Sequence, residues 1–324
     1  MASGKAKELG SMINLFNINN YTIDTAKFSN LLHDNVVTDF EKSFAEYVGA
    51  KYACSANSAS SLIYLATKSC DSILSIPSCI PPVVPNALEM AQAKYIFNDD
   101  VDWVGGAYTL IDNHERTIVD SAQEVTRDQF KNLQNPNAEM IFSFYPTKPV
   151  GGCDGGMIVS DNKDTIDKYK EKTLNGMSYS ENSWERRYNS AGYKMHWNSI
   201  SAYIANENLK KLDEKYERLD ETKGRYNKEF GYQNNSRHLY RIRVDNNREF
   251  IKRAKELGIV CGTHYSHCHE KLFYKNLSIH MPYNREYKKS VKESETTVSI
   301  PFHEKLSENE IDKVINDVKR LANI

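Results

Sequence analysis

The stretch FSFYPTKPVGGCDGGMIVS, residues 142–160, decides how this chain is read. Two apolar runs of strand character flank a break built from proline and four glycines. β-branched and aromatic residues suit a pleated, half-buried strand, whereas Gly and Pro end one. At the front of the break stands Lys148. A solvated lysine needs no such setting. An amine held between buried strands can have its pKa lowered, which makes it a candidate nucleophile toward an aldehyde. In the first run Ser143 and Tyr145 lie two apart, so they share one face.

Working outward, the same alternation recurs. Upstream, KYACSAN, SILSIPS, AKYIFND, YTLIDN and RTIVDSAQ read as strands, and SASSLIYLATKS and VVPNALEMAQ as helices. TDFEKSFAEYVGA, 38–50, predicts a helix that Thr38 starts and Gly49 ends, with Phe40, Phe44 and Val48 at helical period. Strands and helices in alternation predict an α/β fold with a mostly parallel central sheet. From about residue 164 the character changes: long charged helical runs follow, then HLYRIRV, REFIKRAKELG, VSIPF and a last helical run. This predicts a large domain over 12–200, and a linking helix with a smaller C-terminal α+β domain over 201–324. Residues 1–11, MASGKAKELGS, read as a cloning leader and are set aside.

The chain of 324 residues is 40% hydrophobic, enough for a substantial core. Its 42 basic and 43 acidic residues leave a net charge of -1, which argues against nucleic acid or a membrane surface as main partner. No apolar run approaches a membrane span, and no secretory signal opens the chain. The six cysteines form no CxxC pair, so reduced thiols and a cytoplasmic location are expected, with no metal.

Three further features bear on Lys148. Asp120 ends the apolar strand IVD, with Gln123 three residues on; ligands of open α/β sheets sit at the carboxyl ends of strands. A carboxylate there suits a protonated ring nitrogen, and equally a helix cap. SANSASSL, 55–62, is a turn of small and hydroxyl residues before a helix, a place where free amides meet phosphate; Asn57 and Ser58 suit plain capping as well. Ser143 reads as a phosphate ligand or as a buried serine bonded to backbone. GGCDGG lacks the G-K-[ST] of a phosphate-binding P-loop.

The order of these features resembles fold-type I enzymes that use pyridoxal 5′-phosphate (PLP), and more narrowly the DegT/DnrJ/EryC1/StrS family of nucleotide-sugar aminotransferases. FSFYPTKPVGGCDGGMIVSDN is similar to that family's lysine signature, VDSAQ to its EDAAQ, and GYKMHWNSISAYIA (192–205) to its GYNYRMSELQAAIG. GIVCGTHYSHCH and VSIPFHEKLSENEID are similar to its closing segments, so the resemblance runs from about residue 36 to the C-terminus. It implies that Lys148 carries PLP as a Schiff base, with the cofactor cycling through its pyridoxamine form (PMP). Asp120 then pairs with the ring nitrogen and Gln123 meets the ring hydroxyl. Ser143, Ser58, Ala59 and Asn57 surround the phosphate, and His196 and Asn198 reach the phosphate of a neighbouring subunit in a homodimer. Tyr145, His264, Tyr265 and His269 fall near the substrate. The implied reaction passes an amino group from glutamate to a nucleotide-linked 3- or 4-keto-deoxysugar.

Three departures stand out. Pro81 occupies the place of the family's ring-stacking aromatic, Ser58-Ala59 replaces Gly-Thr in the phosphate turn, and the stretch between AKYIFND and TIVDSAQ is short. The alternatives are a PLP- or PMP-dependent sugar dehydratase, where histidine is expected in place of Lys148, and a non-catalytic relative that binds nucleotide-sugar. The close spacing of His264, His267 and His269 also suits a metal.

Overall fold

The computed structural model describes residues 12–18, 20–180, 182–275 and 286–323, so the leader at 1–11 lies outside the described residues. The first helix, α1 (Asn35–Val48), starts before Thr38. Its cap is Asp34, whose carboxylate accepts the Val36 amide at 3.0 Å. Val36 and Val37 hide this start from a propensity reading, but an aspartate cap contributes about 1 kcal/mol and decides the boundary. Gly49, in the left-handed region at φ +84°, ends the helix as expected.

The chain then runs β1 (Tyr52–Ala56), α2 (Ala59–Thr67), β2 (Leu74–Pro77), α3 (Val83–Ala91), β3 (Tyr95–Asn98), β4 (Tyr108–Asp112), β5 (Thr117–Asp120), β6 (Ala138–Ser143), β7 (Gly156–Ser160) and α4 (Lys163–Thr173). After it come α5 (Ser199–Lys210), α6 (Leu212–Phe230), β8 (Tyr240–Arg243), α7 (Asn247–Glu256), α8 (Leu272–Lys275), α9 (Lys288–Thr296), β9 (Thr297–Ile300) and α10 (Glu308–Ala322). The stretch 199–230, read as one linking helix, is two. They part at Lys211, whose amide turns back to the Asn208 carbonyl.

The fold is α/β. Its main sheet has the order β1-β7-β6-β5-β4, with β2 and β3 as a parallel pair beside β4. Strand direction is more mixed than alternation suggests. β5 and β6 are parallel, while β7 runs against both β1 and β6, and β4 runs against β5. The shortened segment explains the last reversal. Only residues 113–116 join β4 to β5, closed by the Asn113 amide on the Arg116 carbonyl at 3.1 Å, and so short a link permits only a hairpin.

These directions position the site. β1 and β6 both oppose β7, and β5 follows β6, so the carboxyl ends of β1, β5 and β6 lie on one edge. The edge is anchored by a buried aromatic cluster. Phe40 and Phe44 of α1 meet Phe142, Phe144 and Trp197 at centroid distances of 4.9–5.5 Å. Phe142 and Phe144 are fully buried, which by alternation turns Ser143 to the opposite face. Each such ring contributes about 1.5–3 kcal/mol by burial. The same apolar cluster continues through Tyr216, Leu219 and Tyr226 of α6 to β8, β9 and α10. A second cluster lies between the sheet and α2 and α3.

Candidate active site

Along the shared edge the turn after β1, the end of β5 and the end of β6 meet. Ser143 pairs with Gly156 across the β6–β7 ladder. A side chain at Gly156 would place its first carbon 2.4 Å from the Ala59 amide nitrogen, so glycine is what lets the start of α2 sit against β7. This close approach brings the phosphate-type turn beside Ser143. Ser58 caps α2, taking the Ser61 amide at 3.1 Å, and Asn57 Oδ1 accepts the Ser61 hydroxyl at 2.7 Å. Of the two capping readings, Ser58's holds and Asn57's does not, since Asn57 takes a hydroxyl rather than a backbone amide; the Ala59 and Ser60 amides have no intrahelical partner.

Asp120 is buried and doubly held. Its Oδ1 accepts the Ala122 amide at 3.0 Å and its Oδ2 the Tyr108 hydroxyl at 2.7 Å. Burial raises its pKa, and these two donors and the Lys148 charge pull it back toward the ionised form. Gln123 is buried too, and its Oε1 takes the Gly105 amide at 2.9 Å, while its Nε2 donates to no partner among the described residues.

Lys148 lies on the loop leaving β6, its amide closing a turn on the Tyr145 carbonyl at 2.8 Å. The residue is half-buried, with its amine well inside. Loss of hydration draws the pKa down to about 8, opposed by the negative charge of Asp120. It opens onto a cavity of about 760 Å³ shared with Asn17, Tyr21, Asn208, Lys215 and Glu304.

The remaining sequence-predicted residues are more dispersed. Pro81 is half-buried just before α3, after the fully buried Ile80. Tyr145 is exposed, with its amide on Ser143 Oγ at 3.3 Å. Asn198 caps α5, accepting the Ser201 amide at 2.9 Å. His196 tilts against His33 at 4.7 Å, and its buried Nδ1 has no hydrogen-bond partner among the described residues. His264 bonds Ser299 Oγ at 2.9 Å, and burial plus the Lys148 charge hold its pKa down to about 4. Tyr265 lies parallel to Trp103 at 6.1 Å, its hydroxyl pKa raised by burial and then by Asp120.

His267, His269 and Glu270 bring their ligating atoms within 4.8 Å of one another. His269 Nδ1 lies 2.6 Å from Ser78 Oγ, while His267 bonds Ser294 Oγ at 2.7 Å and Glu270 at 2.9 Å.

Three residues escaped the sequence reading: Tyr108, Gly105 and His238. His238 is buried and stacked on Phe16 at 5.6 Å, its pKa held well below the usual value by burial and then by Lys148. A strand-paired tyrosine opposite Asp120 was the available signal for Tyr108, but it required knowing that β4 and β5 form a hairpin.

The pieces fit PLP. A backbone cradle at Ala59 and Ser60 faces Ser143 for a phosphate, a buried carboxylate keeps lone pairs for a ring N–H, and Gln123 retains a donor. Among the described residues the Lys148 amine has no hydrogen-bond or ion-pair partner.

Relatives agree. A curated Campylobacter jejuni protein, UDP-4-amino-4,6-dideoxy-N-acetyl-beta-L-altrosamine transaminase, is 29% identical across 81% of this chain and 85% of its own length. Among solved structures, the aminotransferase TlmJ from Streptoalloteichus hindustanus matches with a TM-score of 0.80 at 19% identity, covering 96% of this chain and 99% of that one. A putative sugar aminotransferase from Streptococcus pneumoniae, Spr1654, solved in its PLP form, matches with a TM-score of 0.77 at 17% identity, over 95% and 98% of the two chains. The profile of the DegT/DnrJ/EryC1/StrS aminotransferase family matches residues 118–319, and the chain belongs to that family.

Proposed function

We propose that this PLP-dependent aminotransferase moves an amino group from glutamate to a keto group of a nucleotide-linked deoxysugar, with Lys148 as the lysine that carries the cofactor. The observation that carries this reading is the meeting of a free, partly deprotonated amine, a braced carboxylate and an open helix start on one sheet edge. A nucleotide-linked substrate is supported by the UDP-sugar named for the Campylobacter relative.

When bound, PLP supplies an electron sink for the carbon that gains or loses the amino group. The chain's own residues do the rest. Asp120 accepts a ring N–H and holds its positive charge in place, and Gln123 Nε2 donates to the ring hydroxyl. The Ala59 and Ser60 amides with Ser143 Oγ bind phosphate, aided by the partial positive charge of the α2 start. Lys148 Nζ, with a pKa near 8, is matched to take and return a proton at the reacting carbon near neutral pH. Pro81 takes the ring face that an aromatic occupies elsewhere in the family, and Tyr145, His264, Tyr265 and His269 flank the sugar.

The same proposal includes a large domain at 12–200, a smaller one at 201–324, a cytoplasmic location and a homodimer with shared sites. Among the described residues no helix is long and apolar enough to cross a membrane. The unpartnered Nδ1 of His196 and the exposed Tyr179, Trp184 and Tyr188 favour a second copy at that face, with His196 and Asn198 near its phosphate.

Mixing the PLP-loaded protein with glutamate should replace its visible absorbance with that of the pyridoxamine form, and a panel of nucleotide keto-sugars should then restore it while gaining an amino group by mass. A spectrum that glutamate never changes would remove glutamate as donor. A protein that takes up no PLP would overturn the enzymatic reading of this site.

A further inference from the structure

Asp120 does not stand alone at the ring end of the site. The turn from Trp103 to Tyr108, which links β3 to β4, touches both side chains expected to meet the cofactor ring. Its Gly105 amide bonds Gln123 Oε1 at 2.9 Å, and its Tyr108 hydroxyl bonds Asp120 Oδ2 at 2.7 Å. The turn is itself pinned. Gly105 sits at φ +90°, where a side chain would come 2.8 Å from Ser236 Oγ, and that hydroxyl donates to the Gly105 carbonyl at 2.7 Å. Trp103 packs edge-on against Tyr108 at 4.9 Å and donates its indole N–H to the Cys79 carbonyl at 3.2 Å.

Tyr108 reaches Asp120 because the β4–β5 hairpin places the two directly across from one another. A carboxylate offers about four lone-pair directions. With the Ala122 amide on one oxygen and Tyr108 on the other, the plane of the group is fixed and one direction on each oxygen stays open.

We propose that Tyr108 is a positioning residue for cofactor binding: its hydroxyl keeps the buried Asp120 carboxylate ionised and aimed at the ring nitrogen. The proposal rests on the assignment of Asp120 to that nitrogen. Tyr108 acts through Asp120. Loss of a donor to a buried carboxylate favours its neutral form, which binds a ring N–H less well.

The test uses the full chain and PLP itself. Tyr108→Phe keeps the ring against Trp103, and the thermal midpoint of the PLP-free protein checks that the fold is retained. PLP affinity is measured by equilibrium dialysis, and the visible band of the loaded protein is titrated with pH. Tyr108→Phe should weaken PLP binding about tenfold, as expected for a hydrogen bond to a charged group. It should also move the band's pH midpoint in the same direction as Asp120→Asn. In an Asp120→Asn background the further loss should shrink to less than about threefold, because coupled residues are not additive. If Asp120→Asn weakens PLP but Tyr108→Phe alters neither affinity nor midpoint, or costs the same in both backgrounds, the role of Tyr108 is overturned. If Asp120→Asn itself changes nothing, the assignment of Asp120 fails instead.

Discussion

The two ends of the proposed cofactor site are built differently. The phosphate end joins distant parts of the chain: Ser143 and Gly156 face each other on adjacent strands, and Ala59, at the start of α2, lies against Gly156. The ring end is held mostly by near neighbours in sequence. Tyr108 bonds Asp120 across 12 residues and Gly105 bonds Gln123 across 18, with Trp103, Cys79 and Ser236 bracing that turn. A helix-start pattern marks the phosphate end in the sequence. The ring-end supports follow only once β4 and β5 are known to pair.

The largest expected effect tests what both ends share. Lys148→Ala should reduce amination by about a thousandfold or more, the scale of losing a general base, in single-turnover assays with PLP in excess. A variant that keeps a tenth of the activity would place the reacting amine elsewhere.

The next probe separates the ends. Asp120→Ala should weaken PLP by about ten- to a hundredfold, as for a charge-assisted hydrogen bond lost in a buried site. It should weaken pyridoxal, which lacks the phosphate, by the same factor. Gly156→Ala should do the opposite. Its methyl would press on Ala59, lower stability by about 1–3 kcal/mol and penalise PLP while sparing pyridoxal. Equal effects of both variants on both ligands would erase the distinction.

pH gives a finer probe. The Lys148 amine is the reactive form, so capture of PLP by the empty protein should speed up as pH rises, with a midpoint near the amine pKa of about 8. Asp120 raises that pKa, so Asp120→Asn should move the midpoint to lower pH. The linkage sign is the same. The folded pKa lies below the unfolded lysine value, so the penalty for burying the charge is full below pH 8 and fades as pH rises toward the ordinary lysine range. A midpoint near 10.5 would mean an exposed amine. The smallest effect concerns the ring face: Pro81→Tyr should tighten PLP about two- to tenfold if stacking is what proline lacks, as read by dialysis.

The sequence carries the helical period that buries Phe40, Phe44 and Val48, and it points to Lys148, Asp120, Gln123, Ser143 and the Ser58-Ala59 turn as the proposed site residues. The misses share a physical origin. Thr38 looked like a cap because Asp34 stands before two valines. Lys211 breaks a helix whose composition gives no warning. The β4 reversal follows from a four-residue link whose strand partners no local pattern names.

The central claim is that Lys148 is the amine that carries PLP. The direct measurement is borohydride reduction of the PLP-loaded protein followed by peptide mass mapping. A pyridoxyl group on the peptide that contains Lys148, and its loss in Lys148→Ala, is the predicted result. Modification of another lysine, such as the neighbouring Lys215 that lines the same cavity, with Lys148 untouched would contradict it.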